Sequence, residues 1–224
     1  MELSKEIFPQ PEWPDEPYDI ASSMCHWFAR VSRKLFVRWI ESLPPNPVYV
    51  EFGTFTGAGT TLTALQTRSD LQAICLDHWR INHRVALKFP PYDSHDPVTG
   101  ELCGFLRGDG TVLQHCQNNL RGYRDRVKLV QLSTTHATVD HLANAGVEAD
   151  CVLLDDDHTE TAFVERLYRC RYRWPEALII CDDCNDSWPG VQRGVEVAFE
   201  KGFYTRDEFH TDGNMVAFKR KKKK

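Results

Sequence analysis

Five short, largely apolar runs spaced between helix-patterned segments set the strongest limit on what this chain can fold into. They are Val48–Phe52, Leu71–Leu76, Val127–Leu132, Cys151–Leu154 and Ala177–Cys181. Strands that are apolar almost throughout belong to sheets covered on both faces, and their alternation with helices predicts parallel βαβ units. The expected fold class is α/β: a Rossmann-like, doubly wound, mostly parallel sheet of about seven strands. Two last strands, Tyr204–Phe209 and Met215–Phe218, would close it as an antiparallel C-terminal hairpin. Intervening helices are expected at about 60–66, 109–120, 137–145, 158–172 and 189–201.

Outside this pattern lie three other regions. Residues 1–18 contain four prolines and read as an irregular strap. From about Asp19 to Ser42 apolar residues recur at helical spacing until Pro44-Pro45. Residues 80–108 are polar and broken by Pro90-Pro91 and Asp96-Pro97, as an insertion or lid would be. The chain therefore divides into a strap with N-terminal helices (1–46), a main domain (47–218) and a basic tail (219–224).

With 42% hydrophobic residues the chain can fill a sizeable core, and no apolar run is long enough to span a membrane. The net charge of −5 hides an asymmetry. The last six residues are all basic, so the other 218 carry 21 basic against 32 acidic side chains, a charge of −11. Such a body is a poor match for nucleic acid, and none is expected as a partner. The tail is either a solvated terminus or a contact for phosphates, anionic surfaces or import machinery. The N-terminus lacks a basic segment followed by an apolar stretch, so a cytoplasmic location is expected, the tail leaving nuclear or surface association open. Eight scattered cysteines, several inside apolar runs, are expected to be reduced and buried. Cys181 and Cys184 form a lone CxxC enclosing two aspartates, a poor redox or zinc motif.

In an open α/β sheet ligands bind beyond the carboxyl ends of the strands, so the residues just after each run carry the functional information. The first run leads into Glu51-Phe52-Gly53-Thr54-Phe55-Thr56-Gly57-Ala58-Gly59-Thr60-Thr61. Its glycines allow close backbone approach, and the helix that follows offers free N–H groups. The spacing GxxxGxG differs from the GxGxxG of dinucleotide binders, which argues against an NAD-linked oxidoreductase. Glu51 would repel a pyrophosphate but suits a cation such as the amino group or sulfonium of S-adenosylmethionine. The alternative is a glycine turn needed only for packing. Asp77, ending the second run, is placed to accept ribose hydroxyls, and Trp79 to stack on an adenine.

Two neighbouring runs end in carboxylates: Asp155-Asp156-Asp157-His158 and Asp182-Asp183. Several negative charges so close together need protons or a cation between them. Oxygen ligands favour Mg²⁺, Mn²⁺ or Ca²⁺, with Mg²⁺ the foremost expectation. The competing reading is that most of these side chains cap helices or face solvent, Asp156 among them.

Taken in order, VEFGTFTGAGT, ICLDHW, LLDDDHTETAFVERL and IICDDCNDSWPGVQRGVEVAF resemble the class I S-adenosylmethionine-dependent methyltransferases. The similarity runs from about Val48 to Phe218. Within that class they are most similar to the macrocin O-methyltransferase and cephalosporin-hydroxylase-type small-molecule enzymes. Those carry glycine where this chain has Asp156, an aromatic where it has Glu160, and tyrosine where it has Cys184.

The resemblance implies S-adenosylmethionine contacts at Glu51, Gly53, Thr54, Gly57 and Thr60, with Asp77 on the ribose and Ser133 near the adenine. It also implies divalent-metal ligands at Asp155, Asp182 and Asp183. His158, acting with Asp155, is the candidate general base, or else a helix-start histidine hydrogen-bonded to a carboxylate. The expected activity is metal-assisted O-methylation of a small hydroxylated molecule, with a non-catalytic binding or scaffold module as the alternative. Residues 1–46 and 80–108 would shape the acceptor pocket through Trp13, Trp27, Arg80, His83, Arg84, Phe89 and Tyr92. A homo-oligomeric state is left open.

Overall fold

The computed structural model describes residues 3–19, 30–79, 111–206, 209–211 and 214–219. The proposed insertion and the basic tail beyond Lys219 lie outside the described residues, as do Trp27 and the other insertion candidates for the acceptor pocket.

Seven strands form one sheet. They are β1 (Val48–Phe52), β2 (Gln72–Asp77), β3 (Val127–Gln131), β4 (Cys151–Leu154), β5 (Leu178–Cys181), β6 (Phe209–Thr211) and β7 (Val216–Phe218). Their order is β3-β2-β1-β4-β5-β7-β6. The first five are parallel, and β7 runs antiparallel between β5 and β6. The helices are α1 (Arg30–Glu41), α2 (Thr60–Thr67), α3 (Val112–Leu120), α4 (His136–Asn144), α5 (Glu160–Arg173) and α6 (Pro189–Glu200). A 3₁₀ turn, Arg121–Arg126, leads into β3.

The alternation of side chains along each strand builds two cores, one on each face of the sheet. Val50, Phe52, Val152, Leu154, Ile179 and Phe218 pack beneath α4, α5 and α6. Tyr49, Cys75, Leu129, Leu153, Ile180 and Ala217 pack beneath α1, α2 and α3. This is the doubly wound arrangement that the apolar runs imply.

Local chemistry sets several boundaries. Thr111 and Gln114 form a reciprocal capping box that starts α3. Pro189 occupies the first turn of α6, where its missing N–H costs nothing. The strand expected at Tyr204–Phe209 begins only at Phe209. Tyr204 is buried instead, its ring 4.4 Å from that of Phe218 and beneath the Arg171 guanidinium.

The strap wraps the open edge of β3. Leu3 and Phe8 enter the first core, the Gln131 amide donates to the Pro9 carbonyl, and Trp13 packs against the second core. Gln117 and Asn118 of α3 then hold the backbone of Glu12 and Tyr18. A groove of about 400 Å³ opens here, lined by Trp13, Lys5, Arg124 and Lys128. It lies at the amino-terminal ends of β2 and β3. Trp13 is therefore at the wrong end of the sheet to line an acceptor pocket, because the strap turns around the edge strand rather than across the carboxyl ends.

The six described cysteines are unpaired, and five of them are buried. Burial pushes the half-buried Cys184 thiol up to about 11, so it is not a reactive thiolate. Among the described residues no helix is long and apolar enough to cross a membrane.

Candidate active site

The first three residues of the glycine loop are tied to the end of β2. Gly53 and Thr54 donate their amides to the Leu76 carbonyl, and the Phe55 amide donates to Asp77 Oδ2 at 2.9 Å. Gly53 has φ +90°, and a Cβ there would sit 2.1 Å from the Asp155 carbonyl oxygen. Only glycine allows this loop to lie against the end of β4. Gly57 fits under Leu120 and Cys116 of α3.

Asp77 accepts from the Phe55 amide on one oxygen and from the Trp79 amide on the other, at 2.6 Å. Each carboxylate oxygen keeps a further acceptor direction, so a vicinal diol remains chemically compatible with it. Ser133, in the loop after β3, is exposed. Trp79 is placed differently from its expected role. It is 5% exposed, belongs to the second core, and donates its indole N–H to the Phe55 carbonyl at 2.7 Å. The ring holds the glycine loop and offers little face to a ligand.

Glu51 also turns inward. It lies on the Tyr49 face of β1, is 1% exposed, and accepts hydroxyl bonds from Tyr49, Thr60 and Thr61. Burial raises its pKa to about 7, although the three hydroxyls pull the other way. Thr60 is consumed in the same network. Both residues brace the loop from beneath rather than lining its outer surface. The period-two pattern Tyr49, Glu51 against Val50, Phe52 is the sequence signal for this.

At the ends of β4 and β5 three side chains converge. His158 Nε2 lies 3.5 Å from Asp155 Oδ1 and 3.2 Å from Asp183 Oδ2. It faces both without the geometry of a hydrogen bond to either. One ligand atom from each of Asp155, His158 and Asp183 falls within a 4.8 Å span. Asp183 holds φ 58°, a left-handed conformation that aspartate tolerates better than most residues. The His158 ring stacks on Trp188, with centroids 4.2 Å apart.

Burial raises the Asp155 carboxyl to about 6. Burial alone would lower the His158 imidazolium, but Asp155 and Asp183 override it and raise the pKa to about 9. The two carboxylates thus favour the charged imidazolium form of His158, which lies between them. Its charge does what a cation would do between the two carboxylates.

Asp182 was expected in this cluster, and His158 takes its place there. Asp182 Oδ1 accepts from the Asp183 amide and from the Asn214 side chain, at 2.8 and 2.9 Å. Burial and the neighbouring Asp155 and Asp183 charges push its pKa well above the usual carboxylate range. Asp156 departs from the expectation of a cap or a solvated group. Its carboxylate is ion-paired to Arg166 and accepts from the Thr134 hydroxyl.

No family model matches the sequence, and neither does any curated protein. Solved structures do match. The O-methyltransferase NovP superposes with a TM-score of 0.55 at 16% identity, over 86% of this chain and 80% of that one. The precorrin-6y C5,15-methyltransferase of Geobacter metallireducens GS-15 gives 0.53 at 12%, over 90% and 95%. The SAH-bound Podospora anserina methyltransferase PaMTH1 gives 0.52 at 13%, over 86% and 80%.

The chain has the fold of the class I methyltransferases. In that methyltransferase fold the glycine loop, Asp77 and the Asp155–His158–Asp183 cluster all lie at the carboxyl ends of adjacent strands.

Proposed function

We propose that this chain is an S-adenosylmethionine-dependent methyltransferase that methylates a hydroxyl of a small molecule with the help of a divalent cation. The observation that carries the reading is the meeting of Asp155, His158 and Asp183 beside the glycine loop, on a sheet of methyltransferase topology.

The residues fit both groups. Gly53 leaves no room for a side chain where the loop meets β4, and Asp77 keeps acceptor capacity for a ribose. Ser133, which the resemblance puts near the adenine, is exposed. Two carboxylates and an imidazole suit Mg²⁺ or Mn²⁺ better than a thiolate-seeking metal. Asp155, Asp183 and His158 would hold the cation, with Asp182 adjacent. A cation there supplies a Lewis acid that makes a nearby hydroxyl easier to deprotonate.

The chain's own contribution is mainly placement. The loop fixes the cofactor, and the turn after β4 brings Asp155 and His158 to the acceptor side. In-line methyl transfer gains chiefly from such alignment. With its Nε2 lone pair on the cation, His158 would act as a ligand and not as the general base.

Calorimetry with S-adenosylmethionine, with and without Mg²⁺, tests the first half of the reading. Saturable binding is expected, and none at millimolar concentration would remove it. Incubating a small-molecule extract with the protein and methyl-labelled cofactor should then yield a labelled, metal-dependent product identifiable by mass. Cofactor binding without turnover over a broad acceptor panel would favour a binding module instead.

A further inference from the structure

We propose that Asp156 and Arg166 form an internal strut whose task is to position the acidic site and couple it to the loop that carries Ser133. The inference rests on the functional reading above, and both members are positioning residues. Asp156 follows Asp155 directly and stands two residues before His158. Its carboxylate reaches Arg166, about two turns into α5, and Thr134, the neighbour of Ser133. One side chain thus connects the β3–α4 loop, the β4–α5 turn and the body of α5.

Arg166 is 1% exposed, the largest fully buried side chain among the described residues. Arginine is rarely buried this deeply unless it is paired. Desolvation makes such a pair a poor source of stability compared with apolar side chains of similar size. What the pair provides instead is a fixed geometry. The surrounding packing agrees, because the same turn is closed in by Gly53 at Asp155 and by Gly190 at His158. With its flanks held and Asp156 anchored inward, the turn has one way to present Asp155 and His158 toward Asp183.

The test uses the full chain in three forms: Thr134→Val, the double variant Asp156→Asn with Arg166→Met, and wild type. Amide hydrogen exchange is followed over residues 132–135 and 155–160, with melting temperature and Mn²⁺ affinity by electron paramagnetic resonance. The double variant removes both charges together and so avoids stranding one. Expected are a near-wild-type melting temperature, at least about tenfold faster exchange in both segments, and about tenfold weaker Mn²⁺ binding, as for other groups that orient ligands from behind.

Thr134→Val buries no stranded charge and should accelerate exchange in the same two segments, even if the double variant does not fold. Unchanged exchange in either segment of the Thr134→Val protein overturns the strut. So does a double variant that folds and keeps wild-type Mn²⁺ affinity. If wild type binds neither Mn²⁺ nor S-adenosylmethionine, the functional reading falls, while the exchange comparison still decides the strut.

Discussion

Gly190, at the start of α6, lies so close to His158 that a β-carbon on it would stand 2.2 Å from the His158 carbonyl oxygen. The next nearest atom, the Glu160 amide nitrogen at 2.9 Å, is also backbone, so nothing nearby can swing aside. Gly190→Ala must separate α6 from the turn after β4, at a cost of about 1–3 kcal/mol or more. Gly122, whose added β-carbon would meet nothing within 4 Å, provides the control. Urea unfolding should show a lower midpoint for Gly190→Ala and little change for Gly122→Ala. Equal midpoints would mean that the close approach is not a constraint.

Glu51 gives a pH dependence with a defined sign. Its pKa is near 4.5 in an unfolded chain and about 7 in the folded one, because it is buried. Below both values the carboxyl is neutral in both states and contributes no penalty. As pH rises from about 4.5 to 7 the unfolded chain releases a proton that the folded chain retains, so stability falls. The full difference is about 3 kcal/mol. Relative to Glu51→Gln, which cannot titrate, wild type should lose stability over that window in urea titrations. A flat or rising difference would contradict the buried, raised carboxyl.

The two aspartates after β5 should not be equivalent. Asp183 faces His158 and Asp155, whereas one Asp182 oxygen is taken by Asn214 and the Asp183 amide. Asp183→Asn should weaken Mn²⁺ binding by at least about tenfold and more than Asp182→Asn does. Isothermal titration of both variants against wild type gives the ranking. The reverse order would return Asp182 to the centre of the cluster.

Trp188 supports the His158 ring by stacking. Trp188→Leu removes a contact of about 0.5–1.5 kcal/mol and frees the imidazole to turn. The His158 ring proton resonances should move downfield once the indole ring current is gone. S-adenosylmethionine affinity should stay near wild type, because the glycine loop is untouched. Unmoved His158 resonances would argue that the two rings do not stack in solution.

The strands were the most readable part of the sequence. Val48–Phe52 and Cys151–Leu154 match their runs residue for residue, because in a strand covered on both faces nearly every position is buried. The acidic cluster was readable as a cluster, but its membership was not. Asp155, Asp156, Asp157, Asp182 and Asp183 are the same chemical type, and only the path of the chain decides which of them turn inward. Asp156 meets Arg166 through a helix whose rotation relative to the turn no spacing rule supplies. Glu51 was misplaced for a different reason. Its charge suggested a ligand, while its register on β1 put it among the hydroxyls of Tyr49, Thr60 and Thr61.

The antiparallel strand β7 sets the order in which the protein can become competent. It pairs with β5, and Asn214 just before it accepts the Cys184 amide and donates to Asp182. A nascent chain that has not yet released residues 214–218 from the ribosome has every proposed ligand but leaves β5 as an open edge. The residues that latch the acidic loop are made after every residue of the cluster they hold. During synthesis, then, the charged centre waits until β7 has emerged to pair with β5.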